Sequence, residues 1–212
     1  MEQLLSRVNN IINTCWESFS AKVGGGLIIV NKEASMQLHF AYLLKNTIDL
    51  AIHHSDESIT IELETGIEVN GRLREADLVV HLIKAEVEIF LPIEMKCYKN
   101  RTSTNKLRGA QDLFRHSVYE DLVLLESYAQ NSNYIQGIQL TMTDSRLFGF
   151  PENTNTKSWA FNTSNGFVIE NGTILDVPMG DTKGIVNITL TKNYMFNWTE
   201  IYGYCFLMLR GS

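Results

Sequence analysis

Three residues of this chain have the types and spacing to seat a divalent cation beside a positive donor: Asp77, Glu94 and Lys96. Asp77 interrupts the apolar run Ala76-Asp77-Leu78-Val79-Val80. Glu94 and Lys96 interrupt Leu91-Pro92-Ile93-Glu94-Met95-Lys96-Cys97. Both runs have the composition of strands. Residues two apart on a strand share a face, so Glu94 and Lys96 project together. A tight turn at Ala85-Glu86 would join the strands as an antiparallel hairpin with Asp77 opposite Glu94. Two carboxylates facing each other at about 5 Å repel and weaken a sheet. A hard cation that prefers oxygen ligands, such as Mg²⁺, reverses that cost. The alternative is an ion-pair ladder on a half-exposed sheet. Asp181-Thr182-Lys183 repeats the acid-x-Lys spacing, but it sits between Gly180 and Gly184 and reads as a turn.

Several elements must position these groups. Residues 2–19 have helical apolar spacing, as do residues 32–52, where Met36, Phe40, Leu43, Leu44 and Ile48 fall on one face. Residues 58–64, 75–83 and 87–97 read as three strands, with Pro92 expected at a bulge or edge. A long helix is expected over 104–130, with Thr102, Ser103 and Asn105 as capping candidates. A strand follows at 134–142. The order is helix, three strands, helix, strand. Gly24-Gly25-Gly26 reads as a turn, because no Lys-Ser/Thr follows to make a phosphate cradle. Beyond residue 143 the chain is rich in Asn, Thr, Ser and Gly, with strand candidates at 184–191 and 201–209 that would pair with each other.

Asp77 followed by Glu94-Met95-Lys96, within that element order, resembles the PD-(D/E)XK nuclease superfamily over roughly residues 30–143, with Ala76 in place of the proline. The resemblance implies an α/β (α+β), restriction-endonuclease-like core: a central mixed β-sheet flanked by helices. Residues 1–143 would form this core with its N-terminal helix. Residues 144–212 would be a C-terminal β-rich elaboration of the same domain that contributes to substrate recognition. It implies Asp77, Glu94 and the Met95 carbonyl as metal ligands and Lys96 as the group that positions the attacking water. It also implies Glu33 as a further acid on the preceding helix, supported by Gln37 four residues on. Arg108 and Gln111 would be candidates on the following helix. The cofactor implied is Mg²⁺, with Mn²⁺ as a substitute, and the activity is DNA phosphodiester hydrolysis.

Charge bears on the partner. The chain carries a formal net charge of −6, which taken alone argues against nucleic acid. Yet Lys96, Lys99, Arg101, Lys106, Arg108 and Arg115 accompany a single acid, Asp112, so the expected DNA contacts are Lys99, Arg101, Lys106, Arg108, Gln111 and Arg115. His81 lies on the Asp77 face, His116 is expected to be solvated, and Trp159, Phe161 and Trp198 are expected in the core. Three separated cysteines and no Cys/His cluster argue against zinc and fit a reducing, cytoplasmic compartment. No apolar run is long enough for a membrane span. The expected function is a restriction-type endonuclease acting as a homodimer. The alternatives are a repair, recombination or mobile-element nuclease on the same core, or a catalytically silent nucleic-acid-binding domain.

Overall fold

The computed structural model describes residues 1–101, 105–109, 111–152, 159–178 and 184–212. Helix α1 (Glu2–Gly24) buries Leu4, Val8, Ile12, Cys15, Phe19 and Val23 on a single stripe. Helix α2 (Glu33–Thr47) buries Met36, Phe40, Ala41 and Leu44, and a 3-10 turn (Ile48–Ala51) closes it. At its start, Ser35 Oγ accepts the backbone N–H groups of Asn31 and Lys32.

Three long strands follow: β1 (Glu57–Val69), β2 (Arg72–Lys84) and β3 (Val87–Tyr98). Then come α3 (Gln111–Tyr128), β4 (Ile138–Thr143) and the short α4 (Arg146–Gly149). The remaining strands are β5 (Val168–Ile169), β6 (Thr173–Pro178), β7 (Ile185–Leu190), β8 (Tyr194–Met195), β9 (Thr199–Ile201) and β10 (Tyr204–Arg210).

The main sheet runs β1-β2-β3-β4-β10-β9. All its pairs are antiparallel except β3-β4. The architecture is therefore α+β, with a mixed six-stranded sheet flanked by helices. One face packs on α1 and α2 through Leu78, Val80, Leu91, Ile93, Met95 and Leu140. The other is covered by α3 and C-terminal residues, among them Phe148, Phe161, Phe196 and Trp198. The boundary expected at residue 143 runs through one sheet, because β9 and β10 extend it beside β4. The expected pairing of 184–191 with 201–209 does not form. β7 pairs with β6, and β10 lies between β4 and β9. Among the described residues no helix is long and apolar enough to cross a membrane.

Two turns set the sheet register. Asn70 and Gly71 both have positive φ, 50° and 74°, as a two-residue hairpin turn requires. They join β1 to β2 into a ribbon longer than the alternation at 58–64 suggests. At the second turn Ala85 takes φ 53°, and the β2-β3 ladder runs from Lys84↔Val87 to Leu78↔Ile93. Pro92 sits inside β3 at no cost in hydrogen bonds. Its nitrogen faces the β4 side, and the β4 ladder begins only at Ile93.

Candidate active site

The β2-β3 ladder stops at Leu78↔Ile93, one step before Asp77 would face Glu94. Beyond that step β3 continues beside β4 alone, from Ile93 to Tyr98. Backbone N–H groups two apart point to the same edge, so Met95 and Cys97 lose the partners that β2 would have supplied. Carboxylates take their place. Met95 N–H donates to Asp77 Oδ2 at 2.6 Å, and Cys97 N–H donates to Glu33 Oε2 at 3.3 Å. Gln37 Nε2 donates to the Asp77 carbonyl at 2.6 Å, fixing the departing strand to α2. The fork between β2 and β3 thus gathers Glu33 and Asp77 from opposite sides.

The ribbon is distorted at the same place. Leu63↔Leu78 and Thr65↔Ala76 pair on either side of Glu64, which adopts φ 51°. Before this step Val80 and its partner Ile61 face α1 and α2. After it, Ala76, Ile67 and Val69 pack with Leu125 and Tyr128 of α3. The ribbon changes faces at Asp77.

On the α3 side of β3, Lys96 Nζ lies 3.6 Å from Glu33 Oε1 and 3.3 Å from Asp121 Oδ1. It also donates to the Met95 carbonyl at 3.3 Å. These contacts place Lys96 between α2 and α3, and not in a ladder with Glu94. Glu94 is buried, and its Oε1 accepts the Tyr128 hydroxyl at 3.0 Å. The neighbouring strand contributes buried Gln139 and Thr141 opposite Glu94 and Lys96.

Burial and crowding govern the charges. Burial, followed by the Asp121 and Asp77 carboxylates, pushes the Glu94 carboxyl up to about 9. Burial also raises Asp121 and Glu33, in each case against the opposing pull of Lys96. For Lys96 burial acts against the ammonium. Asp121, Glu33, Asp77 and Glu94 outweigh it, so its pKa lies above that of an ordinary lysine. The surrounding acids thus favour the charged, donating form of Lys96.

The donor set fits a hard divalent cation in kind. Every acid at the fork offers oxygen, and like charges crowd where a cation would relieve them. Asp121 Oδ2 is buried with no hydrogen-bond partner among the described residues. Their arrangement is not a ready-made cage: no three His, Cys, Asp or Glu of the described residues converge as a ligand group. One oxygen each of Asp77 and Glu33 is held by backbone.

The basic run is dispersed. Arg115 is buried, donating to Thr163 Oγ1 and the Leu147 carbonyl beside the Phe148 and Trp159 rings, so it is not presented to a phosphate. Lys99 is held by Asp144 at 3.0 Å and by the Tyr204 hydroxyl. Arg101 is exposed and donates to the Asn105 carbonyl. Lys106 and Arg108 are exposed, but Arg108 is not helical; its N–H bonds the Asn100 carbonyl. Helix α3 starts at Gln111 and not near 104, since residues 105–109 form a loop closed by the Arg101↔Leu107 bridge. Among the capping candidates, Asn105 lies in that loop, while Thr102 and Ser103 lie outside the described residues, as does Asp181-Thr182-Lys183. Exposed Gln111 is the first residue of α3.

His81 stacks on Phe90 and pairs with Glu88, away from the acids. His116 is buried rather than solvated, with Nδ1 3.2 Å from Glu120. Sequence reasoning missed Asp121 and Tyr128. Its available signal was an acid set into the apolar stripe Phe114, Val118, Leu122, Leu125.

A cavity of about 460 Å³ opens over Lys96 and Asp121, lined also by Arg74, His116, Glu120 and Asn187. A second, of about 440 Å³, shares Arg74, Val123 and Leu124 with it and extends to Arg72 and Asn70. Comparison with family models, with curated proteins and with solved structures gives no match to this chain.

Proposed function

We propose that the chain is a Mg²⁺-dependent endonuclease that hydrolyses DNA phosphodiester bonds. The observation that carries this reading is the fork. Carboxylates from α2, β2, β3 and α3 gather around one half-buried lysine at the floor of an open groove. Such crowding is costly in an ordinary core and finds its use with a cation and a phosphate. Asp77, Glu94 and Asp121, with the Met95 carbonyl, would hold the metal. Mg²⁺ or Mn²⁺, when bound, lowers the pKa of coordinated water and offsets charge on the phosphoryl oxygens.

The chain's own groups do the rest. Lys96 donates to the attacking water or to a phosphoryl oxygen, where a preorganised charge is most effective. Glu33, with its raised pKa and an oxygen 3.6 Å from Lys96 Nζ, accepts the proton that water gives up. Tyr128 holds Glu94, Gln37 holds the backbone of Asp77, and Asp121 steadies Lys96.

Supercoiled plasmid incubated with the protein in Mg²⁺ is expected to be nicked and linearised, and in EDTA to stay intact. Asp77→Ala, Lys96→Ala and Asp121→Asn should each lose about 100-fold or more in rate. Discrete bands and a dimer in solution would favour the restriction-type reading over repair, recombination or mobile-element chemistry. One observation favours a silent DNA-binding domain instead: Asp77 and Glu33 already bond to backbone N–H groups. No Mg²⁺-dependent cleavage of any DNA tested, with no thermal shift on adding Mg²⁺, would sink the nuclease in favour of that reading.

A further inference from the structure

We infer that Arg72 and Arg74 grip the sugar–phosphate backbone of a DNA strand lying in the groove between the β1-β2 ribbon and α3. The inference rests on the nuclease reading and adds to it the surface that holds the substrate. Arg72 and Arg74 are two apart on β2 and share one face, about 7 Å apart along the strand. That spacing suits contacts to successive phosphates. They pair with Val69 and Ile67, which pack toward α3 once the ribbon has changed faces at Asp77. Both arginines line the groove that ends at Lys96.

Near the turn, the charges of the ribbon are sorted by side. Glu68 and Glu75 have the opposite parity and sit on the ribbon's other face, so the groove side there carries Arg72 and Arg74 without an acid although the chain carries −6; Glu62, paired with Val79, lies on the α3 side farther from the turn. Among the described residues, no ion pair or side-chain hydrogen bond engages Arg72 or Arg74, and both are exposed. Arg115 and Lys99, by contrast, are bound internally. On the facing wall Glu120 is held by His116, and at the floor buried Asp121 Oδ2 has no hydrogen-bond partner among the described residues. The geometry gives a path with unengaged arginines at its rim and, at its end, the Lys96–Asp121 pair with one Asp121 oxygen left without a hydrogen bond among the described residues.

The test is fluorescence anisotropy with labelled duplex and single-stranded oligonucleotides, using the full chain in EDTA over a range of salt. The loss is read on whichever DNA the wild type binds more tightly. Arg72→Gln/Arg74→Gln is expected to weaken binding at least 10-fold. The slope of log affinity against log salt should flatten by roughly 0.7–0.9 for each phosphate that is no longer neutralised. Arg72→Lys/Arg74→Lys should recover most of the slope. Lys45→Gln, exposed in the last turn of α2 and lining neither cavity, should leave both quantities unchanged. If the wild type binds or cuts DNA while the double Gln variant keeps its affinity and slope, the inference is overturned and the nuclease reading stands. If the wild type neither binds DNA in EDTA nor cleaves it in Mg²⁺, both fall together.

Discussion

Glu94→Gln should stabilise the metal-free protein while removing the proposed nuclease activity. Glu94 is buried, crowded by Asp121 and Asp77, and raised to about 9 from an ordinary 4.5. Its folded pKa lies above its unfolded one, so the folded chain binds the extra proton between these values. Stability attributable to this group therefore falls as pH rises from about 4.5 toward 9. At pH 7 the folded carboxyl stays protonated while the unfolded one ionises. The interval from 4.5 to pH 7, at about 1.4 kcal/mol per pH unit, amounts to about 3 kcal/mol. A glutamine keeps an oxygen to accept the Tyr128 hydroxyl and does not titrate. Imperfect packing and hydrogen bonding of the amide trims the gain to about 1–3 kcal/mol. For a chain of this length that corresponds to roughly 2–10 °C in Tm. Thermal melts in EDTA at pH 5, 7 and 8.5 would measure it. The gain should be close to nil at pH 5 and grow with pH. A gain independent of pH, or a less stable variant at pH 8.5, would refute the argument from crowded carboxylates.

Two further perturbations separate structural charges from functional ones. Arg115→Ala strips the partners from the Leu147 carbonyl and Thr163 and empties the space beside Phe148. It should cost about 2–4 kcal/mol in urea unfolding with no change in the salt dependence of the proposed DNA binding. Glu57 presents the opposite linkage from Glu94. Burial raises its carboxyl, but the His53 N–H, Arg7 and Lys84 outweigh this and hold it well below the usual 4.5. It contributes stability above about pH 4.5 that is lost as pH falls. Glu57→Gln should be less stable than wild type at pH 7, with a shallower loss between pH 5 and 3 in thermal melts.

Much of the core follows from periodicity that the chain carries locally. The stripes of α1 and α2 and the apolar runs of β2 and β3 are set by side chains that must leave water together. The turn at Ala85 also set the expected β2-β3 register as far as Leu78↔Ile93, where the strands part before Asp77 faces Glu94. Asn70-Gly71 was an equally local signal for the longer β1-β2 ribbon, since only such residues tolerate two successive positive φ values cheaply. The start of α3 was harder to place, because the polar stretch 102–109 is compatible with either helix or loop and the tertiary bridge Arg101↔Leu107 decides for loop at 105–109.

What the sequence determined by itself, then, was which residue types enter apolar strands: Asp77, Glu94 and Lys96 are conspicuous because an ionisable group in such a run needs a partner. What it could not determine was which partner. Asp121 is 25 residues from Lys96 and Glu33 is 63 residues away, and only the packing of α2 and α3 against opposite sides of the fork sets them around one ammonium. The fate of the basic run was likewise tertiary. A count of cations along the chain cannot tell a guanidinium that satisfies buried oxygens, as Arg115 does, from one turned into a groove, as Arg74 is. That distinction depends on which face of an element meets the core, and for β2 the face itself changes at Asp77.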